Sequence, residues 1–461
     1  MRIHELAPFL AIALVAAVTS ALVSRAADEA TASASDKTQA PAVRGAALPH
    51  PPVVLPGIDV LEQSGFAAVR GKRVGLVTNP TGLTADLRST VDVLHRAEGV
   101  TLVALYGPEH GVRGEAAAGV KVADGRDGAT GLPEFSLYGA TRKPTAEMLS
   151  GVDVLVFDIQ DIGSRSYTYI STLAVVMEAA AEHGKAVVVL DRPNPINGER
   201  VEGRVLDPKF RSFVGQLEIP YLHGMTVGEL AQMINGEGWL GRMGGTASGP
   251  ASYDAEGGGE GGPGGLRCEL TVIPMRGWTR KMDWAATGLV WTPTSPHLPR
   301  AETSLYYAAT GICGELGTIS IGIGYPLPFE LFAAPGVDAR KLADEMNGRG
   351  LAGVYFRPMH FTPFYGAHEK RVCSGVHIVF TDPARVEAGA VQFHLLDALR
   401  VTHPEIPRMN PKRAAMFDKV CGGEGMRTRI EAGSGADELL AHWREGVDQF
   451  RAKREKYLLY R

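Results

Sequence analysis

The segment VDVLVFDIQDIGSRSYTYISTLAVVMEAAAEHGKAVVVLDRPNP (residues 152–195) contains a complete strand–helix–strand unit. Its two apolar runs, at 152–159 and 185–192, are continuous rather than alternating, as in strands that are buried on both faces of a parallel sheet. The stretch between them, at 171–184, has helical length and ends in glycine, as many helices do. This segment therefore predicts two parallel strands joined by a helix that covers the sheet.

The same pattern precedes this unit. Apolar runs at 73–79 and 100–107 flank an amphipathic stretch at 89–99. Repeated strand–helix units of this kind are typical of a doubly wound α/β fold. We therefore assign residues 56–288 to a Rossmann-like α/β domain with a parallel sheet.

The second half of the chain is less regular. Residues 289–461 mix proline-broken loops, short strands and two helices, the last over 437–458, and predict a smaller α+β domain. Residues 244–265 are rich in glycine and predict a flexible loop. Thr226 and Glu229 predict a capping box at the start of a helix. Further strands are predicted at 269–278 and 376–380.

The composition excludes several classes of protein. A hydrophobic content of 45% and a charged content of 21% are those of an ordinary globular chain. The net charge of −4, from 47 basic and 51 acidic residues, gives no surface for a polyanion, so a nucleic-acid partner is not expected. None of the four cysteines belongs to a CxxC pair, and no zinc site is indicated.

The N-terminal residues have the features of an export signal. A positively charged start precedes the apolar run LAPFLAIALVAAVTSALV (residues 6–23), and small residues follow it. We expect residues 1–28 to be a signal peptide, residues 29–55 to be a disordered tether, and the protein to be periplasmic or secreted. The alternative is an uncleaved N-terminal anchor, because the run is close to membrane-spanning length. In an exported protein the four cysteines can form one or two disulfides.

A polar loop follows each of the four apolar runs. Ligands of open parallel sheets bind beyond the carboxyl ends of the strands, so four such loops predict a site at that edge. In chain order the candidate residues of these loops are Asn79; Glu109 and His110; Asp158, Asp161, Arg165, Tyr167 and Tyr169; and Asp191, Arg192 and Asn194.

The candidate catalytic groups in these loops are carboxylates. The chain has no GxGxxG, Walker A, GxSxG or HExxH motif, which argues against dinucleotide, P-loop, serine-hydrolase and zinc-protease chemistry, and we expect no cofactor. Glycoside hydrolysis typically needs two carboxyl groups, one of them protonated. Glu109, beside an apolar wall, is the candidate acid, and Asp158 or Asp161 is the candidate partner. Glu178 is a third candidate, further along a helix.

Each candidate also has a structural interpretation. Glu109 can cap its loop, and the two aspartates can stabilise turns. His110 can orient Glu109, bond a sugar hydroxyl or be an ordinary buried histidine. Tyr167 and Tyr169 can line a sugar subsite or belong to the core. A metal-dependent hydrolase that uses His110, Asp158 and Asp161 is a further alternative.

Several of these motifs together resemble the NamZ-like exo-β-N-acetylmuramidases. The resemblance rests on GPEHG (107–111), DIQDIGSRSYTYISTL (158–173), LDRPNPINGERVEG (190–203) and HGMTVGELA (223–231), and it extends from about Gly57 to the C-terminus. It implies a Rossmann-like catalytic domain, a smaller C-terminal domain that forms one wall of the cleft, and release of terminal N-acetylmuramic acid from peptidoglycan fragments. It also implies that Glu109 is catalytic and that the polar residues of the DIQD and DRPNP motifs bind the sugar.

The chain departs from the family pattern at two places. Where the family usually has SPN, this chain has His297 after Ser-Pro, and where the family usually has S-x-G-R-G-T, Ile323 replaces the arginine. Arginine is the natural bidentate partner of the lactyl carboxylate of muramic acid. Either Arg165, Arg192 or Arg276 takes over this contact, or the preferred sugar differs. A non-catalytic cell-wall sugar-binding protein is the alternative outside enzymes.

Overall fold

The computed structural model describes residues 53–114, 123–241 and 265–461. The predicted signal peptide (1–28), nearly all of the predicted tether (29–55) and the glycine-rich segment up to residue 264 lie outside these ranges. Within them, no helix is long and apolar enough to cross a membrane.

Seven strands form the larger sheet, in the order β3-β4-β2-β1-β5-β6-β7. All neighbouring pairs are parallel except β3 and β4, so the predicted Rossmann-like sheet is confirmed. The strands are β1 (Arg73–Thr78), β2 (Thr101–Gly107), β3 (Gly125–Arg126), β4 (Pro133–Ser136), β5 (Val154–Asp158), β6 (Ala186–Leu190) and β7 (Glu269–Ile273). The two short strands β3 and β4 were not predicted, because so few residues carry no clear hydrophobic period.

Both faces of this sheet are covered. Successive side chains of a strand point to opposite faces, and along β5 Leu155 and Phe157 join one hydrophobic cluster while Val154 and Val156 join another. The second cluster also contains apolar side chains of the two short helices α1 (Gly57–Gln63) and α2 (Thr90–Arg96). The continuous apolar runs of the sequence thus reflect burial on two sides.

The other face is covered by two longer helices, α3 (Tyr169–Glu182) and α4 (Val227–Gly236). Helix α3 is buried around nearly its whole circumference, because residues of the C-terminal half also belong to its cluster. The predicted capping box is present in α4: the Thr226 side chain accepts from the Glu229 amide, and the Glu229 carboxylate accepts from the Thr226 amide. A short helix α5 (Trp284–Thr287) follows β7.

The C-terminal half has its own antiparallel sheet and more helices than predicted. The strand predicted at 376–380 is the end of β10 in a sheet of order β8-β10-β9. The prediction of two helices was wrong, since residues 303–454 form seven. The elements are α6 (Thr303–Glu315), β8 (Leu331–Ala334), α7 (Ala339–Gly348), β9 (Val354–Phe361), β10 (Cys373–Phe380), α8 (Ala388–Thr402), α9 (Ala414–Cys421), α10 (Gly425–Ala432), α11 (Ala436–Trp443) and α12 (Val447–Arg454).

The predicted single helix over 437–458 is broken in the middle. Gly446 has a φ of 81°, a left-handed conformation that glycine adopts without steric cost and that no α-helix continues through. The break lets Trp443 and Phe450 both reach the core from separate helices. The four cysteines are buried and unbridged, so the disulfides allowed by the sequence do not form in this fold.

The C-terminus returns to the larger sheet at Asp191, directly after β6. The fully buried Asp191 carboxylate accepts from the Tyr460 hydroxyl at 2.5 Å, the Thr226 hydroxyl at 2.8 Å and the Gly228 amide at 2.7 Å. Burial raises the pKa of Asp191 to about 7. Buried carboxylates need such donors, so this cluster connects β6, the start of α4 and the chain terminus.

We expect Tyr460→Phe to lower the free energy of unfolding by about 1–3 kcal/mol, because it removes a donor from buried Asp191 and leaves the Met275 amide without its acceptor. Tyr355→Phe, at a half-exposed tyrosine of β9, is the control and should change stability by less than about 0.5 kcal/mol. Denaturant unfolding of both variants measures the difference. Equal stability of the two variants would contradict this account of the C-terminus.

Candidate active site

The turn after β2 places a carboxylate and an imidazole at the carboxyl edge of the sheet. The Gly111 amide donates to the Pro108 carbonyl at 2.9 Å, which closes a tight turn around Glu109 and His110. His110 has a φ of 76°, a left-handed conformation that non-glycine residues seldom adopt and that is found disproportionately at functional sites. Glu109 is half-buried and His110 is buried.

Two hydroxyl groups hold the Glu109 carboxyl group. Thr168, just before α3, donates its hydroxyl to Glu109 Oε2 at 2.9 Å. The Tyr138 hydroxyl, from the loop after β4, also hydrogen-bonds to Glu109, and burial together with the Glu109 charge raises the pKa of Tyr138 to about 12. Hydroxyl groups both donate and accept, so they can stay bonded to a carboxyl group whether it is ionised or protonated.

Asp161 is the candidate carboxylate that keeps an unused oxygen. It is 5% exposed, and its Oδ2 accepts from the Gly163 amide at 2.7 Å and lies 3.8 Å from His223 Nε2. Its Oδ1 is buried and has no hydrogen-bond partner in the described part of the chain. Buried polar atoms are usually bonded, so this oxygen can accept a hydrogen bond from a water or a ligand group.

Glu109 and Asp161 lie near the same tyrosines. Burial is the main cause that raises the pKa of Tyr169 and of Tyr307, and the charges of both carboxylates add to it in each case. The structure thus brings the two predicted carboxylates into one electrostatic environment.

Asp158 is instead saturated by a buried ion pair. Arg192 donates Nε to Asp158 Oδ1 at 2.5 Å and Nη2 to Oδ2 at 2.9 Å, and the Thr90 hydroxyl donates to Oδ2 at 2.5 Å. Arg192 also bonds the Leu83 carbonyl at 2.8 Å. Both oxygens of Asp158 are therefore bonded, and Arg192 connects this strand end to the Leu83 carbonyl in the segment after β1.

The two tyrosines of the loop after β5 are tied to the segment that precedes α6. Tyr167 donates to the Thr294 hydroxyl at 2.7 Å, and Tyr169 donates to the Thr294 carbonyl at 2.5 Å. Their rings meet edge to face at 5.0 Å. The two side chains join the two halves of the chain beside Glu109, and their hydroxyls are engaged within the protein.

Arg165 and Asn194 also bond to the protein backbone. The fully buried Arg165 guanidinium donates to the carbonyls of Arg204, Ile219 and Val420, and burial lowers its pKa to about 10.

Asn194 donates to the Met225 carbonyl and accepts from the Ile196 amide. It lies under Gly163, where a Cβ would come within 2.5 Å of Asn194 Oδ1 at a φ of 82°, so only glycine fits beside Asp161.

The remaining predicted residues lie around the turn. Asn79 accepts from the Thr81 amide and hydroxyl, and its Nδ2 has no hydrogen-bond partner among the described residues. His110 lies within electrostatic reach of His297, whose pKa is lowered by burial and by that neighbour. Asp191 is engaged in the C-terminal cluster described above, so its oxygens are already bonded.

His297, in the C-terminal half, lies within electrostatic reach of His110 on the turn. His297 Nε2 and the Tyr365 hydroxyl are 2.8 Å apart, and the Tyr365 side chain is half-exposed. Ile323 lies near Gly366, the residue after Tyr365: a Cβ at this glycine would be 3.6 Å from Ile323 Cγ2. The residue that stands where the family pattern has arginine is thus an apolar, partly buried side chain that packs against the core near Tyr365.

The geometry offers no metal centre in the described ranges: no three His, Cys, Asp or Glu side chains are grouped closely enough to bind an ion.

The third candidate carboxylate, Glu178, pairs with Lys143 at 3.0 Å and accepts from the Gly241 amide, away from the turn.

Sequence reasoning missed Tyr138, Thr168 and Thr294. Tyr138 follows an unpredicted strand, although its SLYG (136–139) repeats the LYG of 105–107 that precedes Glu109. Thr168 is an inconspicuous residue type, and the role of Thr294 depends on contacts between distant segments.

Comparisons with known proteins agree along nearly the whole described chain. The family model for exo-beta-N-acetylmuramidase NamZ, N-terminal, matches residues 74–302, and the corresponding C-terminal model matches residues 305–460. A peptidoglycan beta-N-acetylmuramidase NamZ of Bacillus subtilis (strain 168) is 41% identical over 409 residues, which cover 89% of this chain and 92% of that protein.

Two solved structures of DUF1343 family proteins from Bacteroides fragilis NCTC 9343 are also similar. One is 45% identical, with a TM-score of 0.80 over 90% of this chain and 100% of the other. The second is 29% identical, with a TM-score of 0.66 over 88% of this chain and 99% of the other.

The two aspartates of the loop after β5 should respond differently to substitution. Asp158→Asn leaves the buried Arg192 cation without its charge partner and should destabilise the fold by about 3–5 kcal/mol. Asp161→Asn keeps an oxygen for the Gly163 amide and should change stability by less than about 1 kcal/mol. Chemical denaturation of both variants checks this. A stable Asp158→Asn protein would mean that the ion pair does not organise the site.

Proposed function

Because the chain belongs to the exo-β-N-acetylmuramidase NamZ family and is thus a glycoside hydrolase, we propose that Glu109 is the general acid with which it releases terminal N-acetylmuramic acid from peptidoglycan fragments. The observation that carries the assignment is the half-buried Glu109 carboxyl group, which lies on a strained turn at the carboxyl edge of the sheet and accepts a hydrogen bond from the Thr168 hydroxyl. No cofactor takes part in this proposal.

The acid step uses what this turn provides. Cleavage of a glycosidic bond needs a proton on the leaving oxygen, and a positioned carboxylic acid supplies it. Thr168 and Tyr138 hold the carboxyl group in one orientation, and because each hydroxyl can reverse its role, the same contacts persist after the proton has left.

We assign the second carboxylate to Asp161 rather than to Asp158. Asp158 has both oxygens bonded to Arg192 and Thr90, so it cannot act on a sugar or a water without breaking a buried ion pair. Asp161 Oδ1 is free of protein partners in the described part of the chain. It can accept from the attacking water or from a sugar hydroxyl, and it stabilises the positive charge that develops on the sugar.

The other predicted residues fall into two groups: those proposed to contact the sugar, and those proposed to hold the loops of the site in place. The Asn79 Nδ2 group has no hydrogen-bond partner among the described residues and can donate to a sugar oxygen. His110 is the residue next to Glu109. Both are therefore proposed to contact the sugar. Arg165, Arg192, Asp191 and Asn194 are proposed to hold the loops in place, because each makes several hydrogen bonds within the protein. Tyr167 and Tyr169 are proposed to form the base of the subsite with their rings.

We also propose that the chain is exported to the periplasm or secreted. The support is the charged, apolar and small-residue pattern of residues 1–28 together with a substrate class that lies outside the cytoplasmic membrane. An uncleaved N-terminal anchor would place the enzyme on the same side.

Glu109→Gln should reduce turnover of a chromogenic N-acetylmuramic acid β-glycoside by about 100- to 10,000-fold, because glutamine cannot donate the proton. Binding of the sugar should persist, since the amide keeps the size of the side chain. Steady-state kinetics and calorimetry measure the two effects. The matched control is Glu147→Gln, at an exposed glutamate, which should keep full activity.

The outcomes separate the alternatives. A wild-type protein that binds the sugar but releases no chromophore would be a sugar-binding module. Undiminished turnover in Glu109→Gln would remove Glu109 from the mechanism. Release from an N-acetylglucosamine glycoside alone would change the substrate.

Export predicts a defined N-terminus. The protein recovered from a periplasmic or secreted fraction should start within about residues 25–30, because signal peptides are cleaved after small residues. N-terminal sequencing or intact-mass measurement tests this. Recovery in the membrane with Met1 retained would favour the anchor, and recovery in the cytoplasm would contradict export.

A further inference from the structure

An exposed guanidinium group is held on aromatic rings beside Glu109. Arg142 Cζ lies 4.2 Å from the centroid of the Phe213 ring and 5.2 Å from that of Tyr138, the tyrosine that hydrogen-bonds to Glu109. The two rings are 6.1 Å apart and inclined by 51°, so they form a notch for the planar cation. Arg142 has no ion pair with any described residue.

The residues on either side of Arg142 are anchored. Lys143 pairs with Glu178 at 3.0 Å and with Glu182 at 2.9 Å, both on α3. The Thr141 hydroxyl donates to the Lys143 carbonyl and accepts from the Lys143 amide, each within 3.1 Å. The guanidinium is thus positioned both by its backbone and by the rings, so little conformational freedom remains to be lost when it binds a ligand.

This arrangement matches the recognition of a carboxylate. Stacking on ring faces occupies the faces of the guanidinium and leaves its in-plane N–H donors available for a bidentate contact. Arg142 lies beside the proposed catalytic carboxyl group and has no acidic partner among the described residues. Its positive charge is therefore available to a ligand. A bidentate guanidinium–carboxylate contact is also among the stronger hydrogen-bonding arrangements.

The other arginines considered for this role are engaged. Arg192 is paired with Asp158, Arg165 is buried on three backbone carbonyls, and Arg276 bonds Gln63. Ile323 cannot bind an anion.

We infer that Arg142, held by Tyr138 and Phe213, binds the lactyl carboxylate of the muramic acid unit and so selects this sugar over N-acetylglucosamine. The inference rests on the proposed function. It assigns to the loop after β4 the substrate contact that an arginine at position 323 would otherwise make.

The test compares two chromogenic N-acetylmuramic acid β-glycosides, one with the free lactyl acid and one with its carboxamide. Arg142→Gln should lower kcat/KM for the free acid by about 10- to 100-fold, the loss expected for a hydrogen-bonded charge, and should change the value for the carboxamide by less than about threefold. Arg142→Lys should fall in between, because lysine keeps the charge without the fork. Arg96→Gln is the matched control, an exposed arginine in the last turn of α2.

Each failure has a different meaning. An equal loss for both glycosides would show that Arg142 acts on Glu109 or on the fold, and no loss for the free acid would show that it does not contact the substrate; either result overturns the inference. If the wild type cleaves neither glycoside, the proposed function fails. Calorimetric binding of N-acetylmuramic acid then decides the Arg142 contact separately, since Arg142→Gln should still weaken binding by about 10- to 100-fold.

Discussion

The buried ion pair between Arg192 and Asp158 determines where the strand-end loops lie. Asp158 ends β5, Arg192 follows β6, and the remaining donors and acceptors of the pair reach Thr90 and the Leu83 carbonyl in the segment after β1. Two charges buried together are tolerated only with nearly complete hydrogen bonding. Three loops must therefore keep one mutual arrangement, and the turn with Glu109 follows β2, the other neighbour of β1 in the sheet.

The carboxylates at this edge of the sheet differ in what their oxygens bond to, not in where the chain places them. Asp158 and Asp191 are fully bonded by cations, amides and hydroxyls, and they are parts of the framework. Glu109 is bonded by hydroxyls, and Asp161 has one oxygen without a partner among the described residues. Residues at equivalent strand ends thus divide into those that build the edge and those that are available for chemistry.

The sequence predicted the sheet well and the site partly. The central strands are long, apolar and buried on both faces, so their pattern is clear, and the GPEHG turn and the capping box of Thr226 are local motifs. The short strand β4 has no measurable period, and with it Tyr138 and the notch of Arg142 were missed. The different roles of Asp158 and Asp161 depend on Arg192, which lies 34 residues after Asp158 in the sequence and occupies its oxygens. The role of Asp191 likewise depends on the distant Tyr460. The pattern of residues along the sequence does not reveal such long-range bonds.

The bond between Tyr460 and Asp191 joins residues 269 positions apart. Pairing residues so far apart closes a long loop, and the entropic cost of that closure is recovered only when the elements on both sides are already in place. The carboxyl edge of the sheet therefore reaches its final arrangement only after the C-terminal half has folded against it.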